Sequence, residues 1–136
     1  MAHEDALDFI RNNGRGVLAT RRRDGGVQMS PVVAAVDAEN RVVISTREGA
    51  MKTLNLRRTP RAALCVISQQ FFGEWHSLEG SVEIVSLPDA MEPLVDYYRR
   101  ISGEHPDWND YREAMVREHR VLLRITVDRS GPTVQG

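Results

Sequence analysis

Lys52 is the only lysine in the chain and stands among seventeen arginines. It lies in the most basic segment of the sequence, residues 45–61, where a strand-like stretch leads into a short helical pattern at residues 50–58. The free backbone N–H groups and the dipole of a helix N-terminus favour an anion. Thr46, Lys52 and Thr53 are therefore candidates for binding a phosphate group.

Both basic segments of the sequence also have plainer interpretations. The helical pattern around Lys52 is equally typical of a solvated surface helix whose lysine keeps its ammonium in water. A second arginine block, residues 21–23, could suggest RNA binding. A solvated hairpin tip explains that block more simply, because the chain lacks the aromatic platform that binds single strands. We therefore expect no nucleic-acid partner.

The elements that must position Lys52 are predicted from hydrophobic periodicity. Strands are predicted at residues 16–20, 28–36, 41–46, 62–68, 75–85 and 121–127. Helices are predicted at residues 6–10, 50–58, 89–101 and 108–118. Residues 24–26, Asn40 and Gly73 mark turns between neighbouring strands. Six strands joined largely by hairpins, with helices inserted late, favour an antiparallel barrel over a parallel sheet.

Length and composition favour one domain, residues 1–136, with a core that needs no disulfide or structural metal. Hydrophobic residues make up 41% of the chain, charged residues 27%, and the formal net charge is -1, which is typical of a soluble globular protein. The N-terminus is acidic where a signal peptide would be basic. No apolar run approaches the roughly 20 residues of a membrane span. We expect a cytoplasmic protein with no membrane partner.

Cys65 is the only cysteine, which excludes an internal disulfide and a cysteine-based zinc site. Its apolar surroundings, residues 62–67, predict a buried core thiol.

Several familiar chemistries lack their sequence signatures. The chain contains neither the dinucleotide fingerprint G-x-G-x-x-G nor the phosphate-binding loop G-x-x-x-x-G-K-[ST], which excludes a classical Rossmann enzyme. Four scattered histidines offer no metal-binding pair at H-x-x-x-H spacing. No serine lies in a G-x-S-x-G turn, so a hydrolase has no support. We therefore predict no metal site and no catalytic side chain.

Longer motifs cover nearly the whole chain. They are Gly16-Val-Leu-Ala-Thr20, Met29-Ser-Pro31, K-T-x-N-L-R-R-x-P-R-A at residues 52–62, the strand at 75–80, and Y-R-R-I-S-G-E-H-P-D-W-N-D-Y at 98–111. Together they resemble the flavin and deazaflavin oxidoreductases of the split β-barrel fold. The resemblance is strongest to the mycobacterial and actinobacterial branch described as pyridoxamine-phosphate-oxidase-class and coenzyme F420-dependent. It implies a mainly β, FMN-binding-like fold, a six-stranded antiparallel split barrel with flanking helices.

The resemblance implies a homodimer in which two barrels pack face to face and both chains line each cofactor groove. Lys52 and Thr53 would bind the phosphate of coenzyme F420, with Arg47 and Asn55 as helpers. Many relatives carry a further basic residue two positions before the lysine. This chain has Ala50 there, which leaves Arg47 as the candidate substitute.

The resemblance also implies contacts to the cofactor ring and the substrate. Ser30, Pro31 and Val32 would flank the deazaflavin ring. Trp75 and His76 would approach from the partner subunit or line the substrate pocket. The plainer expectation for His76 is a strand residue that faces solvent or bonds a backbone carbonyl.

A reduced deazaflavin delivers hydride from its own ring carbon, so the protein has to orient it and exclude water. A proton could come from solvent, His76 or Tyr98. The plainer interpretation of Tyr98 and of its neighbours Tyr97, Trp108 and Tyr111 is helix packing.

Two alternatives to the F420-dependent oxidoreductase stay open at this level. One is an FMN-binding oxidoreductase of the same fold, since FMN also needs a phosphate site. The other is a non-catalytic carrier of the coenzyme, a haem or a fatty acyl ligand. Coenzyme F420 has an anionic tail, which Arg57, Arg58 and Arg61 could bind, although arginines at a helix end also serve the dipole. The substrate and the direction of hydride transfer are not predicted.

Overall fold

A computed structural model describes residues 3–131 as a curled antiparallel sheet with flanking helices. The helices are α1 (Glu4–Asn12), α2 (Met51–Arg58), α3 (Met91–Ser102) and α4 (Trp108–Arg117). The strands are β1 (Arg15–Arg21), β2 (Val27–Val33), β3 (Ala35–Val36), β4 (Val42–Arg47), β5 (Arg61–Ile67), β6 (Trp75–Val85) and β7 (Arg120–Ser130). Their order across the sheet is β2-β1-β5-β6-β7-β4-β3. This confirms the mainly β split-barrel prediction.

The predicted strand at residues 28–36 is wrong as a single element, because it divides into β2 and β3 and the sheet has seven strands. The division falls at Ala34, whose N–H donates to the carbonyl of Gly14 at 2.7 Å. A Cβ atom on Gly14 would lie 2.2 Å from the carbonyl oxygen of Ala34. Only glycine permits this close approach, which turns the chain from β2 toward the pairing of β3 with β4.

The barrel interior is filled by alternate residues of the strands. Large aliphatic side chains that are almost completely buried form this core, among them Leu18, Ile44, Leu64, Leu78 and Leu123. α1 adds Leu7 and Ile10 to the same cluster, so it closes one part of the barrel. Each such side chain contributes roughly 1.5–3 kcal/mol by burial.

A second core lies on the outer face of β4 and β7, where α3 and α4 pack. Val43 and Leu122 of the sheet meet Leu94 and Val95 of α3 and Met115 of α4. We call this the covered half of the sheet. None of the helices within residues 3–131 is long and apolar enough to cross a membrane.

The prediction that Cys65 is a buried core thiol is wrong, because Cys65 is exposed. Successive residues of a strand point to opposite faces, and Leu64 and Val66 occupy the inward positions of β5. Cys65 lies outside, between Val17 of β1 and Ser77 of β6. The outer face of β2, β1 and β5 exposes the apolar residues Val17, Met29 and Val33 beside Cys65. We call these four residues the open sheet face.

Candidate functional site

The first turn of α2 is fastened to the end of β4. The hydroxyl of Thr53, which is fully buried, donates to the carbonyl of Arg47 at 2.6 Å. Ala50 stands at the N-cap, where its methyl group cannot accept a hydrogen bond from the helix. The first N–H groups of α2 therefore keep their capacity to bind an anion.

Lys52 lies in this turn and is partly buried. Burial lowers the pKa of its ammonium group, and the nearby positive charge of Arg120 lowers that pKa further. Both effects mean that the site disfavours positive charge when it holds no anion. An anion bound at the first turn of α2 would relieve the repulsion between Lys52 and Arg120.

Arg120 was missed by sequence reasoning, although it completes the basic cluster. It opens β7 directly opposite Arg47 in the sheet register. Its Nε atom donates to Oε1 of Glu118 at 2.9 Å, and Nη2 of Arg47 lies 3.9 Å from the same oxygen. Two arginines thus share one carboxylate near Lys52, which leaves the cluster with excess positive charge.

Tyr97 of α3 lies beside this cluster and forms a hydrogen bond to the end of β2. Its hydroxyl donates to the carbonyl of Val33, the last residue of β2, at 2.6 Å. Burial raises the pKa of Tyr97, while the Ser45 backbone and Arg120 act in the opposite direction on that pKa. The end of β2, the end of β4 and the start of β7 therefore meet under α3.

The three residues predicted to flank a cofactor ring follow one another along β2. Pro31 is exposed, whereas Ser30 and Val32 are half-buried. Val32 packs against the barrel core. The Oγ atom of Ser30 is buried and has no hydrogen-bond partner among residues 3–131.

Trp75 and His76 lie at the first end of β6, whereas Val85 at the other end pairs with Leu122 near Arg120. Within one chain the structure therefore does not bring them to Lys52. His76 is only 2% exposed, and its Nε2 atom lies 2.8 Å from Oε2 of Glu74. The expectation of a solvent-facing or carbonyl-bonded histidine is wrong, since the ring of Phe9 from α1 covers it at 4.6 Å.

Three of the nine predicted site residues carry a buried polar atom that lacks a hydrogen-bond partner. In the described part of the chain such atoms are Oγ of Ser30, Nε1 of Trp75, Nδ1 of His76 and Nε of Arg124. Three of the four residues were predicted to contact cofactor or substrate. An unpaired buried polar group costs about 1–3 kcal/mol, so a bound molecule or a second subunit that supplied partners would be stabilising.

The side chains of Asn55 and Arg61 form hydrogen bonds or ion pairs with other residues of the chain. Asn55 is buried, donates to Oγ1 of Thr20 at 3.1 Å and accepts from Arg58 at 2.9 Å. Arg61 pairs with both carboxylate oxygens of Asp128 at 2.7 Å, and this contact raises the pKa of Arg61. Arg57 instead pairs with Glu48. The three arginines predicted for an anionic tail therefore do not form one cluster.

The aromatic residues of α3 and α4 pack on one another, as the plainer interpretation predicted. Tyr98 meets His105, Trp108 and Tyr111 with ring centroids 5.0–5.7 Å apart. The hydroxyl of Tyr111 donates to the carbonyl of Leu94 at 2.9 Å. Burial raises the pKa of Tyr111 to about 12. These contacts hold α4 against α3.

No cluster of histidine, cysteine or acidic side chains within residues 3–131 could hold a metal ion.

Comparison with protein families decides the membership of the chain. The model of the pyridoxamine 5′-phosphate oxidase family matches residues 2–132. The chain belongs to this family. Membership of the pyridoxamine 5′-phosphate oxidase family indicates an oxidoreductase.

Individual relatives support the same assignment. The chain is 27% identical over 128 residues to the F420H(2)-dependent biliverdin reductase of Mycobacterium tuberculosis, covering 93% of this chain and 84% of that protein. A conserved hypothetical protein from Mycobacterium tuberculosis has a similar structure, with a TM-score of 0.79, 26% identity, and coverage of 99% of this chain and 85% of the other. A structure named F420 reductase shares the fold, with a TM-score of 0.70 and 22% identity over 91% of this chain and 94% of its own.

Proposed function

We propose that this family member is an oxidoreductase that uses coenzyme F420 to transfer hydride to or from a small conjugated organic molecule. The observation that carries the proposal is the group of three cations, Lys52, Arg47 and Arg120, at the uncapped first turn of α2. The relationship to an F420H(2)-dependent biliverdin reductase supports the choice of deazaflavin. When bound, the deazaflavin supplies the hydride-transferring carbon.

The phosphate of the cofactor would be held by Lys52, by Arg120 and by the N–H groups at the start of α2. Thr53 would contribute its backbone, because its hydroxyl already donates to Arg47. Arg120 would supply the positive charge that Ala50 lacks, and Glu118 would hold its guanidinium in place. Each charge-assisted contact of this kind is worth roughly 1.5–3 kcal/mol.

The ring would lie along β2, against the face that exposes Pro31. Ser30 and Val32 point to the opposite, inner face of the strand. They would act indirectly, by fixing the position of β2 against the barrel core, on which Val32 packs. These residues would orient the ring and keep water from one side of it. The chain would need no side chain that forms a covalent bond with the substrate.

We further propose that two copies of the chain pair through the open sheet face. Met29 is 66% exposed and Val17 42% exposed, which is unusual for neighbouring apolar residues on one sheet surface. Such pairing would give Trp75 a route to the cofactor of the other copy, which it lacks within its own chain. His76 would stay buried beneath the ring of Phe9 and would not take part. A symmetric dimer would place two equivalent cofactor sites at its interface.

The test is a fluorescence titration of the purified protein with oxidised coenzyme F420 and, in parallel, with FMN. We expect micromolar or tighter binding of F420, followed by turnover of reduced F420 with an electrophilic substrate. Tight F420 binding with no turnover across a panel of quinones, enones and tetrapyrroles would favour the non-catalytic carrier. Failure to bind either cofactor would overturn the proposed function.

An FMN-dependent oxidoreductase is the second candidate, and the position of Arg61 favours it. Arg61 is held by Asp128 and Glu79, so it is not available beside Arg57 and Arg58 for an anionic tail. FMN has only a compact terminal phosphate and would need only the cations around Lys52. Tighter binding of FMN than of F420 in the same titration would select this candidate.

A further inference from the structure

A groove of about 710 Å³ lies between the turn that joins β1 to β2 and the outer face of α2. We call it the arginine groove, and six of its lining residues are Arg22, Arg23, Met51, Leu54, Arg57 and Arg58. Its volume is within the range of about 300–1,000 Å³ that is usual for small-molecule sites. None of the three cations of the proposed phosphate site, Lys52, Arg47 and Arg120, lines this groove. The two sites adjoin at the first turn of α2, to which Met51 belongs.

The floor of the arginine groove is apolar. Met51 and Leu54 lie three residues apart on α2, which places them on the same side of the helix. Their exposed fractions are 56% and 45%, although comparable residues of the other helices are mostly buried in the two cores. An apolar ligand that covered both side chains would be favoured by about 25 cal/mol for each Å² of apolar surface removed from water.

The rim of the arginine groove carries four guanidinium groups and one carboxylate, Asp24. Asp24 pairs with Arg22 at 3.2 Å, and Arg57 pairs with Glu48 outside the groove. Arg58 donates only to uncharged oxygens, the carbonyl of Arg21 at 3.3 Å and the amide of Asn55 at 2.9 Å.

Arg23 has neither a hydrogen bond from its side chain nor an ion pair within residues 3–131. Two guanidinium groups at the rim, those of Arg23 and Arg58, are therefore not neutralised by any carboxylate of the described chain. They leave an apolar floor bordered by uncompensated positive charge.

We propose that the arginine groove binds an apolar small molecule that carries two carboxylates. The apolar body covers Met51 and Leu54, and the carboxylates pair with Arg23 and Arg58. Arginine binds a carboxylate through parallel N–H groups, which lysine cannot do. An oligoglutamate chain would leave the apolar floor uncovered. A nucleic acid would find no aromatic side chain for its bases among the lining residues.

The experiment titrates the cofactor-free protein with biliverdin, an apolar dicarboxylate, and with biliverdin dimethyl ester, which has the same body without the charges. Binding is measured by the absorbance change and the induced circular dichroism of the pigment. Tetrapyrroles are also candidate substrates of the proposed function, so binding by the wild-type protein does not by itself locate the pigment. Loss of binding in Arg23→Gln does, because Arg23 has no part in the proposed cofactor site. The variants are Arg23→Gln, the double variant Arg23→Gln with Arg58→Gln, and Arg117→Gln as a control on an exposed face of α4.

We expect micromolar binding of biliverdin and at least tenfold weaker binding of its ester. Arg23→Gln should weaken biliverdin binding at least threefold and the double variant at least tenfold, with Arg117→Gln unchanged. Arg23→Gln removes no contact of the fold, so its result stands even if the double variant unfolds. Equal affinity for acid and ester, or an unchanged affinity of Arg23→Gln, would overturn the proposal. Displacement of biliverdin by F420 but not by FMN would overturn it too, since the groove would then hold the cofactor tail.

Discussion

In both halves of the sheet the side chains alternate between the barrel interior and the outer face, but helices cover the outer face of only one half. On β4 and β7 the outward residues Val43 and Leu122 are buried because α3 and α4 pack over them. On β2, β1 and β5 the outward residues Val17, Met29 and Cys65 have no helix above them and are exposed. Whether a strand is buried on one face or on both therefore depends on whether a helix of the chain packs over its outer face. The open half leaves apolar side chains in water, and the proposed pairing of two copies would cover them.

The largest expected effect comes from the covered half. Leu94→Ala removes a completely buried side chain between α3 and the sheet, and we expect it to lower the free energy of unfolding by about 2–5 kcal/mol. Urea unfolding monitored by circular dichroism measures the change. Val116→Ala, on the exposed side of α4, serves as the control and should cost little. A loss below about 1 kcal/mol for Leu94→Ala would mean that α3 is not part of a packed core.

On the open half, Met29→Glu should change association rather than folding. A buried unpaired carboxylate between two paired open sheet faces would be strongly unfavourable, so we expect dissociation to monomers at micromolar concentration. Light scattering coupled to gel filtration measures the mass. Val116→Glu introduces the same charge at a comparably exposed apolar residue of α4 and should leave the mass unchanged. Monomeric wild-type protein, or dimeric Met29→Glu, would contradict the proposed pairing.

The proposed phosphate site borders the covered half, and we expect its variants to affect binding more than folding. We expect Lys52→Ala and Arg120→Gln each to weaken FMN binding at least tenfold, with the melting temperature nearly unchanged for Lys52→Ala. Riboflavin lacks the phosphate and gives the matched control, because neither variant should weaken its binding by the same factor. Equal losses for FMN and riboflavin would show that these residues act on the ring or on the fold.

The smallest expected effect is on pH dependence. Burial and Arg120 lower the pKa of Lys52 below the ordinary 10.5, so its ammonium loses its proton at a lower pH than an exposed lysine does. The advantage of FMN over riboflavin should therefore shrink as the pH rises through that lowered pKa, while the phosphate keeps its charge. Titrations from pH 7 to pH 10.5 measure the ratio of the two affinities. A ratio that stays constant up to pH 10.5 would place Lys52 away from the phosphate.

Most of the fold follows from local sequence patterns, and the errors have tertiary causes. The strands and the paired helices α3 and α4 were predicted to within a few residues because each has a clear period. α2 was predicted because Gly49 and Pro60 bound it. The division between β2 and β3 was missed because it depends on the contact between Gly14 and Ala34. Cys65 was misplaced because a continuous apolar run does not reveal that one face of its strand is left without a helix.

In the candidate site, too, residues within one short segment could be predicted from the sequence, whereas residues brought in by tertiary contacts could not. Lys52 and the start of α2 are visible in one short segment of sequence. Arg120 is not, since only the pairing of β7 with β4 brings it opposite Arg47. His76 was expected at a surface, and the packing of Phe9 from α1 places it inside. The sequence therefore predicts the position of the proposed anion-binding turn but not the residues that surround it.

The position of Cys65 allows the reactivity of its thiol to report whether two copies of the chain associate. The chain has one thiol, and that thiol lies on the open sheet face. A maleimide dye would mark a single known atom without any engineered cysteine. If two copies cover this face, the labelling rate would fall as protein concentration rises, and its concentration dependence would give the dissociation constant of the pair directly.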